Sequence, residues 1–239
     1  MLVPDLDHVA RRAQCVLALL MRAQIEDALR AAPERAPSWV RPLEKLESWL
    51  LHERLDGHLS KEESSLLRAK WGEWSGEDSS ASAWRLEGLA VLVYALGRKT
   101  PVPPLHQAAE SEEVLAAMPF LGTLGDVLAG ARLCAAESLD QTRRKVAVWR
   151  WRAKTELLHR GGVAPSSGEP FSAMVERAAG NAEKAGMTTV LRGDFDVGGR
   201  PYASLSDGEV RTLASVAVER SRAVDWVCGR GSWDAPLEL

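Results

Sequence analysis

Residues 84–97 read WRLEGLAVLVYALG. Trp84, Gly88, Val91, Leu92 and Ala95 recur at helical spacing on one side, and Leu86, Leu89, Ala90, Val93 and Leu96 cover the rest of the circumference. A helix that is apolar all round is buried, in a large domain or in a membrane. The apolar run 88–97 is shorter than the roughly 20 residues a bilayer needs, so the pattern predicts a central core helix. Gly97 is placed for the left-handed position after the helix, and Pro101, Pro103 and Pro104 follow where a helix cannot continue. Arg85 and Glu87 are the two charges on this rod. Standing two positions apart, they do not face each other. Each is therefore expected to need a partner from another element.

Around this rod the chain supplies 239 residues, enough for a sizeable core. The hydrophobic share of 46% and charged share of 26% are those of an ordinary globular protein. A net charge of −3 argues against general binding to nucleic acid or acidic membranes, which calls for a positive field. Cys15, Cys134 and Cys228 are odd in number, lie among apolar residues and form no CxxC pair. They are expected to be free thiols in a reducing cytoplasm. The start, MLVPDLDHVARR, lacks a basic segment followed by an apolar one, so no signal peptide is expected.

The remaining elements follow in order. Asp5 or Asp7 caps a first helix to about residue 32, with Val9, Ala13, Val16, Leu17 and Leu20 inward; Pro33 and Pro37 end it. A second helix is predicted from near Pro42, with Leu43, Leu46, Trp49 and Leu50 inward. Ser60 and Glu63 have the form of a capping box, opening a third helix that turns Leu66, Leu67 and Trp71 inward. Residues 75–82 are polar and read as a loop. Short helices are predicted over 111–118 and 122–133, then a long one over about 136–159 and another over 171–185. The loop 161–170 between these last two is the best internal boundary in an otherwise single domain 1–239. Residues 190–202 hold the one β segment, a small hairpin with a tight turn at Gly198-Gly199. Ser206 and Glu209 form a second capping box before a last helix to about Cys228, closed by Gly229. The sum is a mainly α, multi-helix bundle-like array.

Three segments carry a family likeness: 84–97, then GDFDVGGRPYASLSDGE over 193–209, then VERSRAVDWVCG over 218–229 followed by SWD at 232–234. In order and spacing they resemble the bacterial domain-of-unknown-function family DUF4272, which has a W-R-x-E-A-L-x-x-L-x-W-A-L-G helix and an E-R-H-R-A-L-N-W-L-C-G helix with W-D after it. This chain has Ser221 where the family tends to have His, Asp225 where it tends to have Asn, and Tyr94 where Trp is usual. The resemblance implies a mainly helical bacterial protein and carries over no activity.

Arg85, Glu87, Arg220, Arg222, Asp225 and Asp234, with Glu219, are the polar members of these motifs. They read either as a buried arginine–carboxylate network that fixes helix register or as a polar pocket for an anionic ligand. Arg143, Arg144, Lys145, Arg150, Arg152 and Lys154 interleave with Trp149 and Trp151, a composition that can serve single strands or phosphate. Successive helical positions diverge, however, so Trp149 is expected in the core and the charges in solvent. His52, Glu53, Asp56 and His58 crowd a turn without metal-site spacing, and Asp194 and Asp196 lack the pattern of a calcium loop. No metal site and no cofactor motif is predicted.

Three functional readings result. The first is a non-enzymatic cytoplasmic interaction protein of partner or immunity type, suggested by nine tryptophans against two tyrosines and by the lack of catalytic motifs. Trp149, Trp151, Arg150 and Arg152 are its candidate contacts. The second is an enzyme or anionic-ligand sensor built on Glu87, Arg220, Arg222 and Asp225. The third is nucleic-acid binding through the basic helix 143–154.

Overall fold

In the computed structural model the described residues are 2–99, 101–165 and 168–235. They form nine α-helices and one two-stranded antiparallel hairpin, so the fold is mainly α. No helix among them is long and apolar enough to cross a membrane.

Helix α1 (Leu6–Ala31) starts on Asp5, whose carboxylate accepts the His8 N–H. Its inward stripe is buried from Val9 to Ile25. Helix α2 (Ala36–His52) begins six residues earlier than the predicted start at Pro42. Pro37 occupies its first turn, where a missing N–H costs nothing, and Pro42 lies within the helix. Helix α3 (Lys61–Arg68) opens on the Ser60–Glu63 capping box. Trp71, expected on its inward face, lies beyond its end, 39% exposed, donating its ring N–H to Glu47.

The central helix α4 (Gly76–Ala95) also starts earlier than predicted. Residues 75–82 are its cap and first turns, not a loop. Ser75 accepts the Asp78 N–H and Asp78 accepts the Ser75 N–H. Polar composition hides this, because α4 turns Ser79, Ser82 and Arg85 inward before its apolar half begins. Trp84 is only half-buried and belongs to neither hydrophobic cluster, so it is not the core anchor its spacing suggests. Leu89 to Val93 are buried as expected. Gly97 takes φ +65°, and a Cβ there would stand 2.7 Å from the Arg132 carbonyl oxygen.

Two short helices follow, α5 (Ser111–Ala116) and α6 (Leu124–Leu128), the latter much shorter than the predicted 122–133. Helix α7 (Ala136–Arg160) and helix α8 (Phe171–Lys184) match their predicted spans closely, with residues 166–167 of the intervening loop outside the described set. Strands β1 (Val190–Leu191) and β2 (Asp194–Phe195) pair around Arg192-Gly193, not around Gly198-Gly199. The latter pair closes a second, outer bridge between Asp196 and Pro201. Helix α9 (Asp207–Val227) is capped by Ser206 and Glu209 as predicted.

α4 packs along α1 on one side and α9 on the other, and α7 packs along α9. The close approach of α4 and α9 passes through Gly88, where a Cβ would meet Ala223 and the Glu219 carbonyl at 3.7 Å. One hydrophobic cluster joins α1, α4 and the C-terminal part of α9. A second joins α8, the hairpin and the N-terminal part of α9. α7 and α9 contribute to both.

Candidate functional site

The charges carried by α4 and α9 sort into two clusters with opposite character. In the first, Arg220 and Glu87 are buried together, 0% and 2% exposed. Arg220 Nε donates to Glu87 Oε2 at 2.8 Å, and its Nη2 lies 2.7 Å from the same oxygen. Its Nη1 donates to the carbonyls of Pro103 and Pro104 and its Nη2 to that of Gln107. Glu87 Oε1 accepts the Ala109 N–H at 2.8 Å. The pair thereby fastens the proline-rich loop after α4 to the centre of the molecule. Every donor has an acceptor, which is the condition under which a buried ion pair is tolerated.

The second cluster is unfinished. Arg85 is 9% exposed and Glu219 6% exposed, while the side chain of Arg222 is 8% exposed. Glu219 Oε2 stands 3.8 Å from Arg85 Nη1 and 3.6 Å from Arg222 Nη1. Both distances exceed a hydrogen bond. Arg85 Nη1, Arg222 Nε, Arg222 Nη1 and Glu219 Oε2 are buried and have no hydrogen-bond partner. Burial pushes the Glu219 carboxyl up to about 7; Arg85 pulls it down, and Glu62, Glu87 and Glu63 add repulsion.

These groups underlie a cavity of about 590 Å³ lined by Ser60, Lys61, Glu62, Arg85, Arg222, Trp233, Asp234 and Ala235. Its walls are held firmly. Trp233 donates its ring N–H to Glu63 Oε1 at 2.8 Å, and the Arg12 guanidinium lies 4.8 Å from the Trp233 ring centroid. Glu63 also binds Arg12 Nη1 at 2.7 Å and caps α3 through the Ser60 N–H. The edge is looser. Arg85 Nη2 reaches Glu62 Oε2 at 3.3 Å, and the Glu62 side chain is 69% exposed. The unpartnered donors lie just beneath the cavity surface, where an oxyanion can meet them once the loose Glu62 edge gives way, and each unmatched buried donor costs about 1–3 kcal/mol until a partner arrives.

The six predicted polar residues are thus divided. Glu87 and Arg220 form the closed cluster. Arg85, Arg222 and Asp234 reach the cavity, Asp234 as an exposed rim group. Asp225 lies on another side of α9, half-buried near Arg143 and Arg150, where burial raises its carboxyl above the ordinary value. Sequence reasoning names Glu219 and, within the SWD motif, Trp233 without carrying either to a site, and it passes over Glu62 and Lys61. The spacing of Glu219 and Arg222 is the signal that could pair them, since positions three apart share a helix face while Arg220 turns away.

The structure does not gather the basic helix on one surface. Trp149 is 5% exposed, in the core as its spacing suggests and so not one of the contact residues of the first reading, in edge contact with Phe195 at 5.4 Å. Arg152, expected in solvent or at a contact surface, is 1% exposed. It makes a two-pronged ion pair with Asp194, at 2.7 Å on each prong, and binds Glu156 at 2.9 Å. Asp194 also accepts the Ala203 and Phe195 N–H groups; burial pushes its carboxyl up, but Arg152 and these N–H groups outweigh it and hold it below the usual range. Arg143 and Arg144 share Asp140, while Arg150 and Trp151 are half-buried. Among the described residues no group of three His, Cys, Asp or Glu is arranged to hold a metal ion, and the three cysteines are free.

Fold and site together define a mainly helical protein with a cavity set over two buried, incompletely paired arginines. No protein family, no curated protein and no solved structure matches the chain.

Proposed function

We propose that this protein binds a small anionic ligand in the cavity over Arg85 and Arg222. The observation that supports the reading is the set of buried guanidinium donors without acceptors beside that cavity. A ligand oxyanion would complete them, as the carbonyls of 103–107 complete Arg220. Binding to the folded state alone raises stability with ligand concentration. Thermal melts in increasing sodium acetate and sodium sulfate, at constant ionic strength set with chloride, test this. Wild type is expected to gain stability with one of the two anions, and a variant carrying Arg85→Gln and Arg222→Gln to gain none. Equal response of the two proteins overturns the reading.

A second reading, a protein partner, is supported by a different surface. An apolar groove of about 760 Å³ runs between α1 and α2, lined by Leu29, Pro33, Val40, Leu43, Trp71 and Trp74 among others. Affinity purification of wild type and Val40→Asp side by side tests it. A stoichiometric partner held by wild type and lost by the variant is expected; none in either overturns it. A cytoplasmic location and membership of DUF4272 belong to the same proposal. The family reading is supported by the order and spacing of the three motif segments, 84–97, 193–209 and 218–234.

A further inference from the structure

Glu62 already brings a carboxylate to the cavity. Its bond to Arg85 is long at 3.3 Å, and its side chain is mostly in solvent. Exposed pairs of this kind are weak and screened by salt. A carboxylate arriving from solvent can take the same place on Arg85. Beneath that position, Arg85 Nη1 and Arg222 Nη1 both lie within 4 Å of a single oxygen, Glu219 Oε2. A ligand oxygen drawn onto these donors comes up against that oxygen. Like charge crowded onto one site raises the proton affinity of one of the two carboxylates, so an arriving carboxylate favours the protonated form of Glu219.

The charge balance points the same way. Arg85, Arg222 and Lys61 stand against Glu62, Asp234 and Glu219. With Glu219 ionised the cluster has no net charge to offer. With Glu219 neutral it has one positive charge in excess, which suits a singly charged head group better than a dianion.

We propose that the ligand is a monocarboxylate, that it displaces Glu62 from Arg85, and that it binds with Glu219 in the protonated form, the proton coming from solvent. This rests on the reading of the cavity as an anion site. The groups that face Glu219 are Arg85 and Glu87 from α4, Glu62 and Glu63 from α3, and Arg222 from its own helix. The α7 cations Arg143 and Arg150 act on Asp225 instead. Burial among these groups places the Glu219 carboxyl near neutrality, so the proton is available at ordinary pH.

Isothermal titration of the full chain with acetate, from about pH 6 to 8.5 and in two buffers of different ionisation enthalpy, tests the proposal; acetate stays ionised throughout. The acetate Kd is expected to rise by close to tenfold per pH unit above the Glu219 titration, with uptake of one proton on binding. Glu219→Gln should bind with a flat pH profile, because an amide N–H donates where the acid O–H would. Glu62→Gln should bind acetate several-fold more tightly, its internal competitor gone. Sulfate should bind more weakly than acetate. Binding that needs Arg85 and Arg222 but shows no proton uptake, no gain in Glu62→Gln, or a preference for sulfate overturns this inference while the anion site stands. Binding indifferent to Arg85→Gln with Arg222→Gln, or no binding of either anion by wild type and Glu62→Gln at tens of millimolar, overturns the site itself.

Discussion

Arg220 and Arg222 stand two positions apart on α9, and both are largely buried, yet they meet different fates. Arg220 finds a carboxylate and three backbone carbonyls, and Glu87 is completed in turn by the Ala109 N–H. Arg222 finds one carboxylate oxygen at 3.6 Å, which it shares with Arg85. The difference lies in what covers each side of the helix. Loop 101–109 folds over Arg220 with its carbonyls turned inward. Over Arg222 lie a cavity, an exposed Glu62 and the turn that carries Trp233. Backbone carbonyls complete the pairing of Arg220, and none reaches Arg222.

The largest loss is expected at the closed cluster. Glu87→Ala leaves the Arg220 cation buried with only carbonyl partners, and a loss of roughly 3–5 kcal/mol is expected in urea melts. A change within about 0.5 kcal/mol would mean that the pair contributes nothing to the fold.

The next largest effect is a pH dependence at the open cluster. Glu219 titrates near 7 in the folded protein and near the ordinary 4.5 when unfolded. Between those values the folded state holds the extra proton, so stability falls as pH rises and the loss is complete above about 7. At about 1.4 kcal/mol for each tenfold change in proton affinity, the decline attributable to this group is about 3 kcal/mol. The difference between wild-type and Glu219→Gln denaturation midpoints, followed from pH 4 to 8 in about half-unit steps, isolates it. A constant difference across that range would place Glu219 outside the buried cluster.

Trp84 sharpens the contrast along α4. It precedes Arg85, is half-buried and packs in neither hydrophobic cluster. Trp84→Ala is expected to cost about 1 kcal/mol, well below the roughly 3–5 kcal/mol of emptying a core tryptophan site. A loss of the larger size, read from urea melts, would restore Trp84 as an anchor. The smallest effect is expected for Arg222→Met at about pH 6, where Glu219 is largely neutral. Replacing an incompletely paired cation by an apolar chain of similar length should stay within about 1 kcal/mol in either direction. A cost near that of Glu87→Ala would erase the distinction between the clusters.

Much of the fold is legible in the amino-acid sequence alone. Periodicity marks the long helices, and the S-x-x-E pattern marks the starts of α3 and α9, because an N-cap is a local bargain between a side chain and a backbone amide three residues on. The start of α4 escapes for a related reason. Its cap has Asp in place of Glu, and its first inward residues are serines and an arginine, which look solvent-facing when only hydrophobicity is counted. The hairpin falls where predicted but with a different inner turn, since Gly198-Gly199 is the stronger glycine signal and Arg192 adopts φ +53° without advertising it.

Helix pitch and residue order alone fix that Arg85 and Glu87 look in different directions, that the apolar half of α4 must be covered on nearly all sides, and that Glu219 and Arg222 share a helix face. These follow from the pitch of a helix and the cost of leaving apolar surface in water. The packing of the helices settles that Arg220 meets Glu87, 133 positions away, while Arg222 and Arg85 meet at a carboxylate too distant to satisfy either. Packing also settles that Arg152, one of seven lysines and arginines on α7, is buried against Asp194. Pairing across helices depends on crossing geometry and on which loop folds over which side chain, and neither leaves a periodic trace in the chain.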